Sequence, residues 1–271
     1  MNYRHAFHAG NHADILKHLV LLQALQIMTQ KPAALAVLDT HAGIGRYDLA
    51  GDAAARSPEW RDGIARLRAW RDPPPPIANF LAAVGDDPML YPGSPLLTLQ
   101  ALRPGDRLIA CELHPDDVET LRRTLAHDRR AQVHHRDGYA AVQALLPFPE
   151  RRGLILIDPP YEASDDVERA IAAIRTALQR FRQAVIVWWR PIKASARLNA
   201  ADAEIIALGF ETVRFDLAVD HPEIKGGLKA SSVFVVNPPY GLAQTMSAVG
   251  AQLADCLRQG DGARFETWLA T

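Results

Sequence analysis

Leu154-Ile155-Leu156-Ile157-Asp158-Pro159-Pro160-Tyr161 is the stretch whose reading decides the fold. An unbroken apolar run closed by an acid and two prolines predicts a buried strand that ends in a rigid loop. Proline fixes φ and lacks an N–H, so Pro159 and Pro160 stiffen that loop and leave carbonyls free to accept hydrogen bonds. Asp158 adds a carboxylate and Tyr161 a face for stacking. That set suits a flat ring carrying an exocyclic amine, whose two hydrogens need two acceptors. A second copy, Asn237-Pro238-Pro239-Tyr240, follows Val233-Phe234-Val235-Val236.

Outward from this strand the pattern repeats. Leu35 to Leu38, Leu108 to Cys111, a short run around Val133, and Ala184 to Trp188 also read as strands. Helical stretches at Asp116 to Leu125, Tyr139 to Leu146 and Val167 to Phe181 separate them. Such alternation predicts a parallel sheet covered on both faces. Glu211 to Val219 and Ser231 to Val236 lack a helix between them and predict a terminal antiparallel pair. The expected fold is α/β and Rossmann-like, of the class I methyltransferase type: a mostly parallel seven-stranded sheet ending in an antiparallel hairpin. Residues 1–271 are expected to form a single domain carrying a small helical insert at 47–106, which includes Pro73 to Pro76. Before the first strand, Asn11 can cap a helix reaching Met28, with Ile15, Leu16, Leu19, Leu22 and Leu25 on its apolar side.

Composition excludes several classes. Hydrophobic content is 48% and charged content 23%, ordinary values for a soluble globular chain. No apolar run approaches the ~18–20 residues of a membrane span, and the N-terminus lacks a signal peptide's apolar stretch. Cys111 and Cys256 are the two cysteines, too few for a disulfide scaffold or a cysteine-rich zinc site. A cytoplasmic protein without a membrane partner is expected. The formal net charge of −1 provides no global basic field, so nucleic-acid contact must come from local patches. Arg56, Arg61, Arg66, Arg68 and Arg71 form one candidate; Arg122, Arg123, Arg129 and Arg130 form another.

In an open parallel sheet, ligands bind outside the carboxyl ends of the strands, near the switch in strand order. Gly43 and Gly45, after the first strand, permit a tight turn and close backbone approach to a ligand. Glu112 ends the second strand, placed to accept from ribose hydroxyls. Asp137 ends the third, where it can accept from an adenine amine while the Gly138 N–H donates to the ring. Asp158 ends the fourth and faces the reacting centre. Singly, Glu112 and Asp137 also read as helix caps; together the acids point to a nucleoside cofactor. Asn237 follows a strand expected to run antiparallel and so to end at the opposite rim, which selects Asp158 as the active copy. His5, His8, His12, His18 and His41 form no diagnostic ligand pattern, and no metal is expected. Tyr3 to His5 and Lys17-His18 instead read as a segment folded over the strand ends, with Lys17 and His18 available to a cofactor carboxylate.

Tyr3-Arg4-His5, Phe7 to Asp14, Leu16-Lys17-His18, Leu38 to Gly43, Tyr91 to Pro95, Glu112 to Pro115, Asp137-Gly138 and Gly153 to Tyr161 together resemble the RlmJ (YhiR-like) family. That family comprises adenine-N6 methyltransferases of 23S ribosomal RNA that use S-adenosylmethionine. The resemblance spans nearly the full length. It implies cofactor contacts at His18, His41, Ser94, Glu112, Asp137 and Gly138, with Asp158 catalytic. It also implies Tyr3 at the substrate side, with His5 and Lys17 nearby; the Tyr161 face read from the opening motif is expected to stack on the target base. The implied target is adenine 2030 in the family's nomenclature, on naked or early-assembly 23S RNA, and the implied state a monomer. Arg190 in Trp188-Trp189-Arg190-Pro191 departs from the family's second aromatic and puts the details of RNA contact in question. A DNA adenine-N6 methyltransferase and a catalytically silent RNA-binding assembly factor are the rival readings.

Overall fold

Leu154 and Leu156 pack on one face of the central strand, Ile155 and Ile157 on the other, and all four are fully buried. Each such burial contributes on the order of 1.5–3 kcal/mol. The strand is therefore the shared spine of two cores. The structure, a computed structural model, describes residues 4–193, 196–224 and 226–270.

Among these residues the strands are β1 (Ala36–Asp39), β2 (Arg46–Asp48), β3 (Leu90–Pro92), β4 (Arg107–Glu112), β5 (Ala131–His135), β6 (Gly153–Ile157), β7 (Val185–Pro191), β8 (Thr212–Ala218), β9 (Ala230–Val236) and β10 (Arg264–Ala270). The helices are α1 (His12–Thr29), α2 (Asp52–Arg56), α3 (Ile64–Arg68), α4 (Pro75–Val84), α5 (Ser94–Ala101), α6 (Pro115–Leu125), α7 (Gly138–Leu145), α8 (Asp166–Arg180), α9 (Ala196–Ile206) and α10 (Leu242–Cys256). The main sheet runs β10-β8-β9-β7-β6-β1-β4-β5. From β5 through β7 all neighbours are parallel; β9 is antiparallel to β7 and β8, and β10 to β8. The chain order reverses at β1, which lies between β4 and β6.

The expected seven-stranded sheet thus gains an eighth strand. Arg264–Ala270 alternates only weakly in polarity, and partial burial against α10 rather than a periodic pattern makes it a strand. The hairpin β8–β9 is consequently not the edge; β10 covers it.

Asn11 accepts from the Asp14 N–H at 2.9 Å and starts α1 where expected. The helix has no polar side facing water, however. Fifteen of its 18 residues are buried, including Asp14, Lys17 and His18, because it packs against α4, α5, α10 and β9 at once. The insert is pinched at its base by the antiparallel pair β2–β3, so it leaves the core between Asp48 and Leu90. The expected 47–106 boundary also took in α5, which packs on α1, β1 and β4. Arg68 closes the insert by donating to the carbonyls of Pro88, Asp87 and Leu90. That arginine belongs to the insert's own architecture.

Arg190 is buried and makes two 2.7 Å bonds to Asp202, its guanidinium 5.3 Å from the Phe234 ring. It braces α9 against the sheet and presents no fork to a ligand. The second Pro-Pro motif resolves with equal clarity. Val236 pairs with Ile186 near the start of β7, so Asn237 lies at the rim opposite Asp158. Asn237 adopts φ +53° and donates to the carbonyls of Arg182 and Ala184, while Tyr240 is 93% exposed.

Asn237→Ala is therefore expected to lower stability by about 1–2 kcal/mol, through two lost hydrogen bonds and a φ that alanine adopts poorly. Urea unfolding measures this, and activity per folded molecule should stay at the wild-type level.

Candidate active site

Parallel strands bring their carboxyl ends to one rim, and there the acids predicted one by one meet around a cavity of about 770 Å³. His5, Lys17, His18, His41, Ser94, Glu112, Asp137, Gly138, Asp158 and Tyr161 all line it. Tyr3 lies outside the described residues.

At the β1 turn, Gly43 takes φ +61° and its N–H donates to Glu112 Oε2 at 2.9 Å; the His114 N–H donates to Oε1 at 2.7 Å. Burial still pushes the Glu112 carboxyl up. Each Glu112 oxygen retains a lone pair for a hydroxyl donor. Asp137 does cap a helix, accepting from the Ala140 N–H at 3.0 Å, and it also takes Arg169 at 2.5 Å. Burial opposes its charge, but these donors outweigh burial and hold the carboxyl below its usual range. Gly138 has no room for a β-carbon, which would collide with the Thr40 carbonyl. Its glycine is required by backbone packing, whatever binds beside it.

His41 follows Thr40, whose Oγ1 lies 2.8 Å from both the Leu156 carbonyl and His41 Nδ1. The carbonyl can only accept, so Thr40 donates to it and His41 Nδ1–H donates to Thr40. Nε2 is then the unprotonated nitrogen. Burial pushes the His41 imidazole down to about 4, and holds His18, paired with the Tyr91 hydroxyl at 2.8 Å, well below its usual value.

Ser94 opens α5 and donates to Asp39 Oδ2 at 2.6 Å. Asp39 is wholly buried, and burial pushes its carboxyl up to about 7 against the pull of that bond. Asp39 ends β1 as Glu112 ends β4, while Asp137 and Asp158 lie just beyond β5 and β6. Arg169 lies in none of the quoted motifs, and Asp14 closes the stretch Phe7 to Asp14 without a role of its own.

Lys17 joins the two sides of the cavity. Its Nζ donates to Asp14 Oδ1 at 2.7 Å and to Asp158 Oδ2 at 2.5 Å, with 4% of the residue exposed. Burial alone would discharge it, but the two carboxylates hold it protonated above the usual lysine range. Asp14 also accepts from His5 Nε2 and the Gly10 N–H, both at 2.9 Å, and His5 and Lys17 outweigh burial to keep it well below its usual range. Lys17 is thus committed to carboxylates of this chain. Tyr161, at φ +55°, donates to the Trp189 carbonyl at 2.7 Å and accepts from Trp188 Nε1 at 2.8 Å. Its hydroxyl is anchored beneath the loop while the residue still lines the cavity. From the insert side, Glu59 bonds His8 and Asn11 at 2.9 and 2.8 Å, bringing the insert to the cavity wall. Among the described residues no group of three or more His, Cys, Asp or Glu side chains is arranged to hold a metal ion. None of the described helices is long and apolar enough to cross a membrane.

A family model described as "Ribosomal RNA large subunit methyltransferase D, RlmJ" matches residues 32–270. A Haemophilus influenzae protein named ribosomal RNA large subunit methyltransferase J is 35% identical, with 99% of each chain covered. Its Escherichia coli counterpart of the same name is 38% identical over 92% of this chain and 91% of the relative. A crystal structure of a Legionella pneumophila protein superposes with a TM-score of 0.89 at 30% identity, covering 97% of this chain and 98% of that one.

The buried histidines make a pH prediction. His12, 4% exposed, is pushed down to about 4 by burial, and its Nε2 has no partner. Unfolded, it would titrate near 6.5, so between those values the unfolded state binds the extra proton. The stability it supports is present above pH 6.5 and lost as pH falls towards 4. His18 and His41 act in the same sense, whereas Asp39, with a raised value, gains stability over pH 7 to 4. In urea unfolding, His12→Phe should therefore gain about 2 kcal/mol on wild type between pH 7 and pH 5. A pH-independent difference would contradict the buried neutral imidazole.

Proposed function

The chain belongs to the RlmJ family of ribosomal RNA large subunit methyltransferases, and from that membership we propose that it methylates N6 of an unpaired adenine in 23S ribosomal RNA, using S-adenosylmethionine. The target we assign is the family's adenine 2030, on naked or early-assembly RNA, by a cytoplasmic monomer. The observation that carries this reading is the position of Asp158-Pro159-Pro160-Tyr161 beside Lys17, in the same cavity as Glu112, His41 and Asp137.

The residues present fit an adenosyl amino acid. Glu112 keeps acceptor sites for ribose hydroxyls, and Asp137 with the Gly138 N–H suits an adenine edge. The unprotonated His41 Nε2 and Ser94 line the same cavity as Asp158. When bound, S-adenosylmethionine supplies an electrophilic methyl group. The target base enters from the other side, extruded from its stack, because its amine cannot be reached within a helix.

The N6 lone pair of adenine is delocalised into the ring, so the amine is a poor nucleophile. Asp158 accepts one of its hydrogens and the Pro159 carbonyl the other, drawing the nitrogen towards tetrahedral geometry and its lone pair out of the ring. Lys17 occupies Oδ2 of Asp158 and leaves Oδ1 for the amine. Because Lys17 is itself fixed by Asp14, the carboxylate is oriented before the base arrives. Such preorganisation acts on the barrier rather than on ground-state binding. The Tyr161 ring, pinned through its hydroxyl, offers a stacking face worth about 1–3 kcal/mol per base.

Incubation with methyl-labelled S-adenosylmethionine and 23S transcript, assembled large subunits or duplex DNA, followed by nucleoside mass spectrometry, tests the reading. N6-methyladenosine in naked 23S RNA is expected; methylated DNA, or a cofactor-binding protein that labels nothing, overturns it. Asp158→Ala should reduce methyl transfer by roughly 10²–10⁴-fold with cofactor affinity little changed. Normal turnover by that variant would remove Asp158 from the reaction.

A further inference from the structure

Arg169 projects from the first turns of α8 into the end of the cavity that holds Asp137, Gly138 and Tyr139. Nη2 donates to Asp137 Oδ2 at 2.5 Å, and the guanidinium carbon stands 4.4 Å from the centre of the Tyr139 ring. Tyr139 meets His41 edge-on at 5.0 Å, so guanidinium, phenol and imidazole form one continuous wall. α8 is itself fixed here, since Asp166 accepts from the Ala163 N–H at 3.0 Å and Tyr139 Oη donates to the Asp166 carbonyl at 3.3 Å.

We propose that Arg169 is a positioning residue for cofactor selection: it locks the Asp137 carboxylate so that the pocket accepts a purine carrying a 6-amine and rejects one carrying a 6-carbonyl. Asp137 has one oxygen on the Ala140 N–H and the other on Arg169, so both oxygens are fixed and the carboxylate cannot turn to suit another edge. An amine donates to a remaining lone pair of the fixed oxygen. A carbonyl oxygen at the same position would face that lone pair without a hydrogen between them. Discrimination of this kind is strong when the site's polar group cannot move away. Without Arg169 the carboxylate keeps its cap bond through Oδ1 but is free to tilt or hydrate through Oδ2. The amine then loses a preset acceptor, whereas the carbonyl, which made no bond to that oxygen, has none to lose.

The inference rests on the proposed use of an adenosyl cofactor. Its test is calorimetric binding of S-adenosylhomocysteine and S-inosylhomocysteine to the wild-type chain, Arg169→Ala and Arg169→Lys, with no RNA present. Wild type should prefer the adenosyl ligand by about 100-fold. Arg169→Ala should bind it about tenfold more weakly, as for one hydrogen bond to a charged group, and bind the inosyl ligand with little change. The preference therefore narrows to about tenfold. Arg169→Lys, which keeps the charge without the fork, should fall between. Unchanged adenosyl affinity in Arg169→Ala, or equal weakening of both ligands, overturns the assignment. A wild-type chain that binds neither ligand instead sinks the cofactor reading and this inference with it.

Discussion

The ion pair between Lys17 and Asp158 ties the amino-terminal helix to the end of the central strand, and the site depends on it. Lys17 is buried between two carboxylates, Asp14 from its own helix and Asp158 from β6. Removing one member of such a group leaves an uncompensated charge in a low-dielectric setting, at a cost of about 3–5 kcal/mol. The helix can therefore dock in one rotation and one translation only, with Lys17 at the strand end. The same constraint places His18 and Asp14 along the cavity, and Asp14 in turn holds His5 in its lining. A contact that reads as structural orients the carboxylate to which the proposed reaction assigns the amine.

The sheet contributes direction. Because β1, β4, β5 and β6 are parallel, the acids at or just beyond their carboxyl ends gather on the same rim. The reversal of order at β1 opens the space between β4 and β6. The antiparallel β9 delivers Asn237 to the far rim, where an identical Pro-Pro-Tyr sequence becomes a surface turn. Chemistry here follows strand polarity as much as residue type.

Much of this was legible in the sequence. A strand buried on both faces has no polar alternation, and an acid immediately after it has few places to go other than the strand-end cleft. Glu112 and Asp158 follow that rule, whereas Asp137 stands two residues beyond the partly exposed β5 and is legible only from its place in the strand order. The same rule applied to Asp39 would have found a fourth acid, buried against Ser94. Partner choice was not legible. Arg169 reaches Asp137 across 32 positions of chain, and Lys17 reaches Asp158 across 141; no local period encodes either pairing. The partner of Arg190, Asp202 of α9, is likewise set by the fold and not by its local sequence. β10 escaped notice because a half-buried edge strand leaves a faint pattern. Membership in the family accounts for the choice of ribosomal RNA, which the pocket chemistry alone leaves open to any accessible amine on a flat ring.

The coupling of Lys17 to Asp158 is the central claim, and a double-mutant cycle on the methyl-transfer step measures it directly. Single-turnover rates would be compared for the wild-type chain, Lys17→Met, Asp158→Asn and the double variant, each saturated with cofactor. If Lys17 acts by orienting Asp158, the double variant is no slower than Asp158→Asn alone. Losses that multiply independently would show that Lys17 acts elsewhere, and would contradict the account.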